Sequence, residues 1–239
     1  MDKPPSPLRR LGLIGGMSWE STAHYYRLIN AHVRDARGPT SSAEILLHSL
    51  DFAPVAQAQR EGRWDDLGAQ LAASAAMLAT GGAQALVLCT NTMHRLVPAI
   101  EAASPVPLLH IADPTGAAIV ADGHTRVALL GTAFTMEQDF YKGHLAARHG
   151  LEVIVPDATD RALVHRVIYE ELVAGIVAPA SREAYRGVIA RLVDRGAQGL
   201  ILGCTEIMLL IDQSDSAVPL YDTTSLHARA AADFALGTR

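Results

Sequence analysis

Short apolar runs alternate along the chain with longer stretches in which apolar residues recur at helical spacing. Leu11–Ile14, Glu44–Leu50, Ala85–Leu88, Leu108–Ile111 and Val127–Leu130 are the strand candidates. Runs this short, rich in leucine and β-branched residues, suit strands buried on both faces. Helical patterns fill the gaps. The first runs from Ser18 to Arg34, with Ser18, Glu20 and Ser21 supplying polar cap chemistry. The second, alanine-rich, runs from Trp64 to Leu78 and is closed by Gly81-Gly82. A third spans Thr92 to Ala103 and stops before Pro105 and Pro107, and a last one spans Thr223 to Ala235. Gln57–Gly62 reads as a loop. Strands alternating with helices predict an α/β fold in which a parallel sheet is covered on both faces.

The pattern occurs twice. Leu11-Gly12-Leu13-Ile14-Gly15 matches Val127-Ala128-Leu129-Leu130-Gly131 at an offset of 116. Ala85–Leu88 matches Gly199–Leu202 at 114, and Val106–Leu108 matches Val218–Leu220 at 112. Three matches, in order and at nearly constant offset, predict two similar parallel-sheet α/β lobes related by a pseudo-two-fold axis. The first lobe is expected over residues 1–109 and the second over 110–215, with 216–239 and its helix returning to the first. Parallel α/β sheets bind ligands beyond the carboxyl ends of their strands. The expected active site is therefore a cleft between the lobes.

Composition removes several function classes. The 239 residues carry 20 basic and 25 acidic side chains, a formal charge of −5, which argues against a nucleic-acid partner. Apolar residues make up 49%, enough for a sizeable core. No apolar run reaches the ~18 residues of a membrane span. Met1–Arg10 holds three prolines and no apolar stretch, so it reads as a loose tail and not as a secretory signal. Two cysteines, Cys89 and Cys204, are too few for a disulfide framework, and a cytoplasmic setting with free thiols is expected.

Three strand-end loops carry the candidate chemistry. Gly15-Gly16-Met17-Ser18 follows a strand and opens a helix, where backbone N–H groups can approach an anion. It is not GxGxxG and has no acidic ribose partner, which excludes a dinucleotide site. Cys89-Thr90-Asn91-Thr92-Met93-His94 follows a buried strand, and Gly203-Cys204-Thr205-Glu206 stands in the equivalent place of the second half. A run of polar residues at a strand end is costly unless it serves a site. A thiol at a helix start is expected to have a lowered pKa and to react as thiolate. No CxxC or HxxxH spacing points to a metal. His24, His32, His94, His110, His165 and His227 are scattered, and each reads as structural or exposed.

Gly15-Gly16-Met17-Ser18-Trp19-Glu20-Ser21-Thr22, the Thr90–His94 loop and Gly203-Cys204-Thr205-Glu206 together resemble the aspartate/glutamate racemase family, from Leu11 to the last helix. The resemblance implies two α/β lobes, a small amino-acid substrate and no cofactor. It also implies a homodimer, as is frequent in the family, and two bases, one from each lobe, acting on opposite faces of the α-carbon. That chemistry suits the residues. An amino-acid α-proton is a very weak acid, so its removal needs a base on one face and charge stabilisation at the carboxylate, and inversion needs a donor on the other face. A thiol, with an ordinary pKa of ~8.5, reaches either protonation state near neutrality.

The chain departs from the family at one position. Many relatives carry the first catalytic Cys immediately before the Asn-Thr pair, where this chain has Thr90, with Cys89 one place earlier. At offset 114, Thr90 matches Cys204 and Cys89 matches Gly203. A one-residue step at a strand end turns the side chain to the other face. The resemblance thus implies Thr90 and Cys204 as an unequal catalytic pair, with Cys89 facing the core. Met17, Ser18, Asn91 and Thr92 are expected to border the substrate, and Thr132 is the second-half counterpart of the Gly15-Gly16 loop. Thr205 and Glu206 complete the set, and Gln59 or Arg60 reaches a carboxylate. A lysine that archetypal aspartate racemases carry near Val173-Ala174 is missing, which leaves glutamate or a broader range open. Two other readings use the same residues: a decarboxylase or cis–trans isomerase of small dicarboxylic acids acting through one Cys, and an amino-acid-binding protein without catalysis.

Overall fold

The structure is a computed structural model that describes residues 7–238. The first six residues of the expected tail, and residue 239, lie outside them. The rest of that tail is tied down. Arg9 N–H donates to Ala235 O at 2.9 Å, and the Arg10 guanidinium bonds the Glu44 carboxylate at 3.0 Å.

The chain forms two compact units, one reaching His110 and resuming at His227, the other running from Ile111 to Leu226. In chain order the elements up to His110 are β1 (Leu11–Gly15), α1 (Trp19–Arg37), β2 (Ile45–Ser49), α2 (Phe52–Arg60), α3 (Trp64–Thr80), β3 (Ala85–Leu88), a 3-10 turn (Thr92–Leu96), α4 (Val97–Ala103) and β4 (Leu108–Leu109). Then come α5 (Ala112–Ala121), β5 (Arg126–Gly131), α6 (Ala133–Glu137), α7 (Asp139–His149), β6 (Glu152–Ile154), α8 (Ala158–Glu170), a 3-10 turn (Leu172–Ala174) and α9 (Pro179–Asp194). The chain closes with β7 (Leu200–Gly203), α10 (Ile207–Leu210), a 3-10 turn (Gln213–Asp215), β8 (Leu220–Asp222) and α11 (Thr223–Leu236).

Each unit has a four-stranded parallel sheet, in the order β2-β1-β3-β4 in one and β6-β5-β7-β8 in the other. The repeat read from the sequence is thus a repeat of topology. The central strands are buried on both faces, and their residues alternate between two cores as the period of two demands. On β3, Leu86 and Leu88 join Leu71, Leu78 and Ile100, whereas Ala85, Val87 and Cys89 join Tyr25, Ile29, Ala228 and Ala232. On β7, Leu200 and Leu202 join Val164, Tyr185 and Val188, whereas Ile201 joins Val127, Leu129 and Tyr141.

Three expectations are corrected. Gln57–Arg60 is the end of α2 and not a loop: Asp51 caps the helix by accepting from Ala53 N–H at 3.1 Å, and Val55 and Ala58 face the core. The Thr92–Ala103 segment is not one helix. Pro98 has no N–H to donate and fits only the first turn, so α4 starts afresh there. The return to the first unit falls at 226/227 and not at 215/216, because β8 completes the edge of β7, with Leu200 opposite Leu220. No helix among the described residues is long and apolar enough to cross a membrane.

Candidate active site

In the first unit the loop after β1 is built around glycine and threonine. Gly16 has φ +86°, and a side chain there would collide with the backbone of Leu50, so β2 approaches the loop closely. Gly16 N–H donates to Thr22 Oγ1 at 2.8 Å, and that hydroxyl donates to Ser18 O at 2.9 Å. Ser18 caps α1, accepting from Ser21 N–H at 3.3 Å, and Met17 is buried beside it. Trp19, next in the chain, is 67% exposed.

The loop after β3 is held to α1. Ser21 Oγ donates to Cys89 O at 3.2 Å, and His94 Nδ1 lies 2.7 Å from Thr90 O. Cys89 is 0% exposed and continues the Ala85–Val87 face. Burial without a polar partner for the anion pushes its thiol far above the usual range, which makes it inert. Thr90 takes the next step and is half-buried, followed by the buried Asn91 and Thr92. By the alternation along β3, Thr90 is in phase with Leu86 and Leu88, as Cys204 is in phase with Leu200 and Leu202.

Gln59 lies on a helix and not in the expected loop. It is buried on α2, and its Nε2 donates to Met93 Sδ at 3.0 Å, so it braces the Thr92–Leu96 turn from below. Arg60 is exposed at the last turn of the same helix.

In the second unit Thr132 caps α6, accepting from Thr135 N–H at 3.4 Å, and is buried. Ala133 N–H donates to His165 Nδ1 at 3.1 Å, which requires that nitrogen to be unprotonated. Burial lowers the His165 pKa against the opposing pull of Glu137, in keeping with a neutral ring. The position of His165 beside Thr132 has no local sequence signal, since 32 residues separate it from Ala133.

Cys204, Thr205 and Glu206 form one hydrogen-bonded cluster. The Cys204 thiol donates to Glu206 Oε2 at 3.0 Å, and Thr205 Oγ1 donates to the same oxygen at 2.6 Å. Cys204 and Thr205 are half-buried, and Glu206 is 9% exposed. The expectation of a thiol with lowered pKa is overturned. Burial raises it well above the ordinary value, the Glu206 carboxylate raises it further, and the backbone amides of Glu206 and Ile207 oppose this without prevailing. The following helix, Ile207–Leu210, is only one turn long, so its dipole is slight. No group of three His, Cys, Asp or Glu among the described residues is placed to hold a metal ion.

The sequence matches the Asp/Glu/hydantoin racemase family over residues 14–231, which takes in both units and all three loops. The chain belongs to that family. As a racemase it is an isomerase. The family fold is the doubled α/β arrangement described above. A crystal structure of a candidate Asp/Glu racemase from Yersinia pestis is 53% identical, with TM-score 0.91, and the match covers 96% of this chain and 100% of that one. An aspartate racemase homologue from Pyrococcus horikoshii OT3 is 32% identical, with TM-score 0.82, covering 95% of this chain and 99% of that one. The broad specificity amino-acid racemase RacX of Bacillus subtilis is 24% identical over 223 residues, covering 92% of this chain and 95% of that protein.

Proposed function

We propose that this racemase inverts the α-carbon of aspartate, glutamate or a wider set of amino acids without a cofactor, using Cys204 and Thr90 on opposite faces. One group comes from each unit. The observation that carries the reading is the phase of the two strand ends. By the period of two Thr90 falls in phase with Leu86 and Leu88, and Cys204 packs against the cluster of Leu200 and Leu202, whereas Cys89 turns into the core. The step that opens the reaction follows from the Cys204 cluster. The thiol proton passes to Glu206 Oε2, with which it is already hydrogen-bonded, and the thiolate takes the α-proton. The electron pair left on carbon spreads into the substrate carboxylate, where backbone amides and hydroxyls of the strand-end loops stabilise it. Thr90 then returns a proton from the other face and recovers its own from solvent, while Glu206 releases to solvent the proton it took from the thiol, which restores the site. Met17, Ser18, Gln59, Asn91, Thr92, Thr132 and Thr205 line the substrate in this reading.

The range of substrates follows the relatives. An aspartate racemase homologue and a broad specificity amino-acid racemase are both among them, so the panel to test spans acidic and neutral amino acids. The decisive experiment is α-proton exchange in D₂O, followed by NMR, on the L- and D-forms of that panel. Wild type is expected to exchange with inversion. Cys204→Ala is expected to lose both, and Thr90→Ala to exchange one enantiomer with retention. No exchange with any amino acid by the wild type would overturn the reading and direct the search to malonates and maleate.

A further inference from the structure

His94 reads from the sequence as structural or exposed, and the structure makes it a buried hydrogen-bonding residue. It is 2% exposed, and its Nδ1 lies 2.7 Å from the backbone oxygen of Thr90. A carbonyl oxygen only accepts, so Nδ1 carries the proton and donates it. The ring is itself wedged in place. It meets the His110 ring edge-on at 4.7 Å between centroids, and the His227 ring at 6.0 Å. His227 is anchored in turn: its Nε2 donates to Leu109 O at 2.7 Å, and its Nδ1 meets the Tyr25 hydroxyl at 2.9 Å.

These contacts join α1, the β3 loop, the end of β4 and α11 of the first unit into one buried polar lattice, with the Thr90 carbonyl at its edge. The neighbouring carbonyl, that of Cys89, is held by Ser21. Two successive peptide planes of the loop are therefore pinned from behind. The direction of the Cα–Cβ bond of Thr90 follows from those planes, because backbone torsions set where a side chain starts. A threonine hydroxyl is a weak proton-transfer group, so its placement at the substrate matters more than it would for a thiol.

We propose that His94 is a positioning residue for proton return by Thr90: its Nδ1–H fixes the Thr90 peptide and so aims the hydroxyl at the α-carbon. The inference rests on the reading of Thr90 as a proton-transfer group. In this reading His94 acts through the Thr90 peptide and not on the substrate itself. Its removal impairs the Thr90 face and leaves the Cys204 face working.

The test is the same D₂O experiment on His94→Leu, His94→Asn and His94→Gln beside the wild type, reading inversion and α-proton exchange separately. In His94→Leu, inversion is expected to fall about tenfold, the effect of losing one hydrogen bond that orients a reacting group. Exchange with retention, on the enantiomer whose α-proton Cys204 removes, is expected to fall less than about twofold. The Asn amide places an N–H where Nδ1–H stands, so His94→Asn is expected to regain most of the inversion rate. The Gln amide places its N–H one bond farther out, so His94→Gln is expected not to. If the Leu variant fails to fold, the Asn and Gln pair decides alone. Equal loss of inversion and exchange in His94→Leu, or equal behaviour of Asn and Gln, would overturn the role of His94 while wild-type inversion leaves the racemase reading standing. A wild type that exchanges no amino acid would overturn both.

Discussion

The Cys204 thiol donates its hydrogen bond to Glu206, with Sγ 3.0 Å from Oε2, so this thiol stands beside a carboxylate and not beside a cation. A buried thiol next to a negative charge stays protonated at neutral pH, and its pKa is raised for both reasons. The same carboxylate can receive the proton when substrate arrives. In the proposed reaction the pair trades resting reactivity for a proton acceptor at hydrogen-bond distance.

Replacing Glu206 by Gln separates those two effects. The neutral amide no longer repels the thiolate, so the Cys204 thiol is expected to titrate lower. Alkylation by iodoacetamide at pH 7 should then speed up by about tenfold, the effect of one pKa unit. Turnover should fall at the same time, because no carboxylate remains to accept the thiol proton. Alkylation rates across pH, followed at Cys204 by mass spectrometry, check the first expectation. Slower alkylation in the variant would show that Glu206 does not raise the thiol.

Cys89→Ala should spare catalysis and change alkaline stability. Burial holds the Cys89 thiol well above its usual value, so the folded chain keeps a proton that the unfolded chain releases above pH ~8.5. The folded state then holds more protons, and stability is full below that pH and falls as pH rises. The loss is about 1.4 kcal/mol per pH unit for one such group. The variant is expected to lose packing stability of about 1–2 kcal/mol at pH 7. Its midpoint in urea should decline less steeply than that of wild type between about pH 9 and about pH 10. Racemisation should stay within about threefold of wild type. Abolished turnover here, with Thr90→Ala active, would place the first proton-transfer group at Cys89.

Gly16→Ala is expected to destabilise the first unit strongly. The glycine has φ +86°, and an added methyl group would run into the backbone of Leu50, which cannot give way without breaking the Leu50 N–H bond of 3.0 Å to Gly15 O. A cost above about 2 kcal/mol follows from strain and collision together. Urea denaturation measures it, and an unchanged midpoint would contradict the close approach of β2 to this loop.

Asp215 supplies the acid limb of stability in the second unit. Its buried carboxylate accepts from Arg182 at 3.0 Å, from Arg186 and from the backbone N–H of Asp212 at 3.0 Å. Those partners hold its pKa far below the ordinary carboxylate value, Arg182 first. A lowered pKa stabilises the folded state above the unfolded value of ~3.9, and the contribution is lost as pH falls below it. Asp215→Asn is therefore expected to lower Tm at pH 7 and to flatten the decline of Tm at acid pH. Both arginines reach solvent, so salt should weaken the wild-type advantage. Parallel acid limbs in the two proteins would remove Asp215 from this account.

Most elements of the first unit, the parallel arrangement, the doubling of the pattern and the three strand-end loops were legible in the sequence, because each rests on local periodicity and on matches along one chain. The one-residue step that turns Cys89 into the core was legible too, since a period of two turns offset into facing. Other features depended on residues brought together from afar. Ser21 reaches the Cys89 carbonyl across 68 positions, and Tyr25 meets His227 across 202. The edge demand of β7 moved the return between units to 226/227, and the apolar face of Val55 and Ala58 made the expected loop around Gln59 a helix. The helix start after Cys204 suggested a lowered thiol pKa, yet packing buried the sulfur and set a carboxylate against it. Periodicity along the chain decides which way a side chain sets out from the backbone. Its charge state is decided by what the fold packs around it, because desolvation and partner charges act through space.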